Sequence, residues 1–167
     1  MPKQLTNNNT ESTPRQVQPD DLTLDVCILI SGSGISDDIT TNRYGRDCFD
    51  LMRRMIANDK YHLALDSRSK IRVQYDTKLS PDTYGHSFVR QMATMGKIDI
   101  IPWQDINRGL RIKLSTKGFT RDSEDYKFVV VASCTCSKKL VSHESHFFNI
   151  QRILGKIGIV ILWPSNA

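Results

Sequence analysis

Leu22-Thr23-Leu24-Asp25-Val26-Cys27-Ile28-Leu29-Ile30-Ser31-Gly32 decides how the chain is read. Its first five residues form a short apolar run that reaches an acid as it closes, the pattern of a buried strand. Four further runs have the same character: HLALD (62–66), IDIIPW (98–103), KLVSH (139–143) and GIVILW (158–163). Apolar residues return at helical spacing between them. Strands alternating with helices are the signature of an α/β fold, here with a mainly parallel five-stranded sheet.

The clearest helix lies between the first two strands. Tyr44, Cys48, Phe49, Met52, Met55 and Ile56 make one apolar stripe, and Arg46, Asp50, Arg53 and Arg54 take the opposite face. Ile71, Tyr75 and Leu79 fall four apart, with Asp66 or Ser67 as the N-cap and Pro81 beyond the end. Phe88, Val89, Met92 and Met95 predict a third helix, stopped by Gly96. Asp122 and Asp125 resemble an acidic capping box opening a helix through Phe128, Val129 and Ala132. Phe147, Ile150, Ile153 and Leu154 mark a last one. Residues 104–121 are polar, irregular and basic, and are expected to be a mobile loop. Ser31-Gly32-Ser33-Gly34 lacks the spacing of a phosphate loop and reads as a flexible turn.

With 167 residues the chain suits one domain. Residues 1–20 hold three of the six prolines and almost no large apolar side chains, so they are expected to be a disordered tail, with the domain in 21–167. No apolar run approaches a membrane span and no signal-peptide core is present, so a cytoplasmic protein without a membrane partner is expected. The four cysteines lack CxxC spacing and read as free, mostly buried thiols. The formal charge of +5 falls entirely outside the tail and points to an anionic partner.

In an open parallel sheet, ligands bind where strands run out at their carboxyl ends. Asp25 ends the first strand, Asp125 lies in the first helical turn before the fourth, and Glu144 follows the fourth. Carboxylates gathered without cationic partners repel one another, so such a group is normally stabilised by a divalent cation, and hard oxygen ligands favour Mg²⁺ or Mn²⁺. That chemistry suits hydrolysis of a phosphodiester by metal-activated water.

Three segments, LTLDVCILISG (22–32), DSEDYKFVVVAS (122–133) and KKLVSHESHF (138–147), with the closing run GIVILWP, resemble the PIN-domain nucleases. The resemblance spans residues 22–164. It implies a three-layer α/β/α sandwich and a metal-dependent endoribonuclease acting on single-stranded RNA. It assigns Asp25, Asp125 and Glu144 to the metal as catalytic acids, and puts Ser142 where the family often has a hydroxyl. The family's second acid, in a Ser-(x)6-Glu-Tyr pattern flanked here by Ser67 and Tyr75, is replaced by Gln74, a neutral oxygen ligand. Asp76 is a nearby substitute, pointing elsewhere on the helix. The usual Thr-Asn after the first acid is Val26-Cys27. Many members of the family are toxins with an antitoxin or other protein partner, and form homodimers. The alternative reading is a catalytically impaired PIN-like module that binds RNA or protein.

Arg43, Arg46, Lys113, Lys117 and Arg121 are the cations expected to follow a nucleic-acid backbone, with His146 at the rim of the metal site. His143 and His146 miss the HExxH spacing by one residue, and adding Cys134 and Cys136 gives an unusual zinc set, so zinc is disfavoured.

Overall fold

A computed structural model describes residues 18–34 and 44–167. Residues 1–17, which hold most of the expected tail, and Arg43 lie outside the described residues.

Five parallel strands form one sheet in the order β3-β2-β1-β4-β5. They are β1 (Asp20–Leu24), β2 (Tyr61–Asp66), β3 (Ile98–Ile101), β4 (Lys139–Val141) and β5 (Val160–Leu162). All five expected strands are present. The first starts at Asp20, inside the stretch expected to be tail, because the Asp20 amide donates to the Lys60 carbonyl and its carboxylate pairs with Lys139 at 2.8 Å. In the central strands, side chains facing both ways are buried: Leu22, Thr23 and Leu24 of β1 and Leu63, Ala64 and Leu65 of β2. Successive side chains of a strand point to opposite faces, so both faces of the sheet are covered, as a three-layer arrangement requires.

Eight α-helices lie among the described residues: α1 (Val26–Gly32), α2 (Gly45–Ala57), α3 (Lys70–Lys78), α4 (Tyr84–Thr94), α5 (Arg108–Ser115), α6 (Tyr126–Cys134), α7 (Ser145–Asn149) and α8 (Gln151–Gly155). Helices α2 and α3 pack on β2, α6 packs on β1, β2 and β4, and α8 packs on β5. The apolar stripe of α2 buries Cys48, Leu51, Met52 and Met55 completely. Truncating Leu51 there would cost about 2–5 kcal/mol. The end of α2 is held by the buried Lys97 amine, which donates to the carbonyls of Met55 and Ile56 and pairs with Asp59.

Several local expectations need correction. Residues 104–121 contain helix α5, capped by the Asn107 side chain on the Leu110 amide and anchored by buried Leu110 and Leu114. Only two apolar anchors on so basic a stretch made its period illegible. The capping box of Asp122 and Asp125 is not made, since Asp125 holds the N-cap position of α6 with no side-chain bond to the helix. The last helix is broken at Ile150 into α7 and α8. Asp66, not Ser67, closes the start of α3, taking the amides of Arg68, Lys70 and Ile71 at 2.8–3.1 Å.

The stretch Ser31–Gly34, expected to be a flexible turn, carries the end of α1. Gly34, at φ +69°, lies just beyond it. Ser33 donates to the Leu29 carbonyl and accepts the Gly85 amide at 2.6 Å, which ties α1 to the start of α4. The backbones meet so closely that a Cβ on Gly85 would lie 2.7 Å from the Leu29 oxygen and 3.0 Å from the Leu29 Cβ.

Candidate metal centre

The strand order reverses between β1 and β4. From β1 the chain builds outward through β2 and β3, then returns to place β4 and β5 on the other side. A crevice opens at such a reversal, beyond the carboxyl ends of the two strands. The Asp25 amide still donates to the Val141 carbonyl at 3.0 Å, so Asp25 is the first residue past β1, pinned against the end of β4. Ser142, His143 and Glu144 leave β4 at the same level.

Asp25, Asp125 and Glu144 occupy the N-cap positions of α1, α6 and α7, and none uses its side chain to cap its helix. Their oxygens turn to the crevice residues instead. Asp25 is 1% exposed, and its Oδ2 accepts from the Ser142 hydroxyl at 2.8 Å and the Cys27 thiol at 2.9 Å. Ser142 in turn accepts the Glu144 amide at 3.1 Å. His146 stands between the other two acids, with Nδ1 3.0 Å from Glu144 Oε2 and Nε2 3.2 Å from Asp125 Oδ2. The second approach lacks hydrogen-bond alignment. The structure therefore joins Asp25 to Glu144 through Ser142, and Glu144 to Asp125 through His146.

The electrostatics agree with this proximity. Burial, then the charges of Asp25 and Asp125, push Glu144 up to about 7. Asp125 is also raised, by burial first and by Asp25 second, with His146 opposing. Burial and the Asp25 charge hold Cys27 well above its ordinary range, so Cys27 is a thiol that donates to Asp25.

Donor atoms of Asp25, Cys27 and Glu144 lie within 4.8 Å of one another, and this cluster could hold a metal ion. A second feature bears on the fit. Gln74 is 6% exposed, and its Oε1 has no hydrogen-bond partner among the described residues. Its Nε2 donates to Glu124, the neighbour of Asp125, at 3.4 Å. The adjacent Tyr75 donates its hydroxyl to the Leu24 carbonyl at 2.5 Å, which places this turn of α3 beside the end of β1. A buried carbonyl oxygen without a donor is a neutral oxygen that a cation could take up, although the cluster that could hold a metal ion pairs the two carboxylates with the Cys27 thiol.

Other expected residues lie elsewhere. Asp76 is bound to Arg72 at 3.0 Å and does not join the acids. Arg46 stands 93% exposed on α2, 4.0 Å from Asp50. Lys113 on α5 and Lys117 just after it are exposed and form no ion pair among the described residues. Arg121 pairs with Asp105. His143 bonds Ser31 at 2.8 Å and stacks on Tyr44, while Cys134 and Cys136 contact Gln104 and Gln18, so the histidines and cysteines do not gather as a zinc set. A larger cleft of about 840 Å³, lined by Asp47, Arg53, Tyr84 and Gln91 among others, contains none of the three acids.

Cys27 and Glu124 are the neighbours of the centre that the sequence reading missed. Cys27 was legible as the second residue after the strand-ending acid, a position on the first turn of a following helix. Glu124 was hidden within Asp122-Ser123-Glu124-Asp125, where spacing alone does not say which carboxylate turns inward. Comparison of the chain with family models, curated proteins and solved structures returns no match.

Proposed function

We propose that the chain is a PIN-like endoribonuclease that hydrolyses phosphodiester bonds of single-stranded RNA with Mg²⁺ or Mn²⁺. The observation that carries this reading is the approach of Asp25 and Glu144 beyond the β1–β4 reversal, with Asp125 outside that cluster but joined to Glu144 through His146, and with none of the three side chains capping its helix. Asp25, Asp125 and Glu144 would hold the cation, and Gln74 Oε1 would add a neutral ligand. When bound, the cation lowers the pKa of water and offsets charge on the phosphorus oxygens.

The chain's own groups supply orientation. Ser142 and Cys27 both donate to Oδ2 of Asp25 and so fix its carboxylate. His146 stands between Glu144 and Asp125, its Nδ1 3.0 Å from Glu144, and holds the two carboxylates apart. The low exposure of Asp25 keeps its charge poorly screened by water.

The test is cleavage of an unstructured single-stranded RNA in Mn²⁺ by the wild type, Asp25→Asn and Asp125→Asn. The wild type is expected to cut and both variants to lose more than about 100-fold. An inert wild type, or variants that cut equally well, would remove the enzyme. Gln74 favours a second reading, the module that binds but does not cut, because it leaves the centre one negative charge short of the resemblance. An inert wild type that still retains RNA on a filter would support that reading.

A further inference from the structure

A second cleft, of about 450 Å³, is lined by residues on either side of Asp125, from Asp122 to Lys127, though by none of the three acids themselves. Arg68, Lys70, Arg121 and Lys127 bring four cations to its wall, and Trp103 and Tyr126 contribute rings. It is next to the metal centre: Glu124 lines it and touches Gln74, and Tyr126 and Lys127 follow Asp125 directly.

Trp103 is fixed before any ligand arrives. Its amide donates to Ser67 Oγ at 3.0 Å, and its indole N–H donates to Asp105 at 3.2 Å. Asp105 also grips Arg121. The Lys70 amine and the Arg68 guanidinium stand 4.6 and 5.5 Å from the ring centroid. Neither they nor Lys127 form an ion pair among the described residues, whereas Lys78 nearby is paired with Glu124. The Tyr126 hydroxyl is buried beside the Arg121 guanidinium. Asp122 and Glu124 also line the cleft, but Glu124 is paired with Lys78, so Arg68, Lys70 and Lys127 are left without an ion pair among the described residues beside an anchored indole, a site for a ligand that is anionic and also has a flat face.

We infer that this cleft is a nucleotide subsite, in which a base of a single strand stacks on Trp103 while Arg68, Lys70 and Lys127 hold its flanking phosphates. The inference deepens the proposed function and rests on it for the choice of RNA. A duplex keeps its base faces stacked and cannot present one to a ring inside a cleft. An acidic peptide satisfies the cations but brings no flat face to the indole. Preordering of the ring by Ser67 and Asp105 reduces the entropy lost on stacking.

The probe is labelled oligo(U), titrated by fluorescence anisotropy in EDTA so that no cleavage occurs, at several salt concentrations. Trp103→Ala should weaken binding about 10-fold or more, Trp103→Phe should restore most of it, and stacking should quench the Trp103 emission in a Trp163→Phe background. Arg68→Gln with Lys70→Gln, both on the surface, should lower the salt dependence by about one phosphate contact each without loss of fold by circular dichroism. Binding that is equal in the wild type and Trp103→Ala, or equal for a duplex RNA or poly-glutamate, overturns the subsite; so does an absence of binding at low salt. Trp103-dependent binding without any cleavage in Mn²⁺ upholds the subsite and removes the nuclease. Cleavage with Trp103-independent binding does the reverse.

Discussion

Asp21 and Asp25 sit four residues apart at opposite ends of the same strand, and both are almost fully buried. Asp21 takes the amides of Cys136 and Ser137 at 2.9 and 2.8 Å and so ties the turn before β4 to the sheet. Among the described residues the Asp25 side chain takes no amide; it meets a hydroxyl, a thiol and the Glu144 carboxylate, and its charge reaches Asp125. A buried acid bound to backbone amides stabilises the fold. One placed among other acids costs stability until something positive joins it. Burial alone does not separate the two, and partners do.

The same substitution at both positions gives the largest contrast. Asp25→Asn should lose more than about 100-fold in Mn²⁺-dependent cleavage and melt, without metal, no lower than the wild type. Asp21→Asn turns an amide N–H toward a backbone N–H, and should cost about 2–3 kcal/mol in urea unfolding while sparing metal binding. Equal losses of stability in the two variants would erase the distinction.

The next contrast is in pH. Glu144, raised to about 7, binds its proton more tightly in the native state than in the unfolded chain. The metal-free protein should therefore hold this contribution fully below about 4.5 and lose it as pH rises through about 7. After allowance for solvent at the partly exposed carboxyl, the loss is about 1–2 kcal/mol. Glu144→Gln should flatten that part of the profile, and Mn²⁺ should raise the melting temperature more at pH 8 than at pH 5. A profile that rises over the same interval would contradict the proximity of the three acids.

Smaller effects sharpen the picture of Asp25. Ser142→Ala removes one of its two side-chain donors, and isothermal titration should show Mn²⁺ affinity falling about 10-fold. Gln74→Glu restores a charge beside the acids and should tighten Mn²⁺ by a smaller factor. Unchanged titration would take Gln74 out of the centre.

The strands were readable because each is a short apolar run, and the acids were readable because they stand where those runs end. Helix α1 was not. Seven residues, nearly all buried, show no polar face, and a continuous apolar run does not distinguish a helix from the strand before it. Helix α5 failed for the opposite reason, since basic residues surround its two anchors. Trp103 read only as the close of a strand, and its role depends on Ser67 and Asp105 fixing it beside a wall of cations, a matter of three-dimensional placement. Lys113, Lys117 and Arg121 stand out in the sequence because their basic stretch leads to the helix of Asp125, whereas Arg68 before α3, Lys70 in α3 and Lys127 in α6 carry no such mark.

Gly85 leaves no freedom to one wall of the crevice. A methyl group there would force α4 away from α1, the helix that begins just after Asp25. The joint between these two helices therefore admits no side chain at this position, and the chain can vary its α1–α4 seam only through the residues around it.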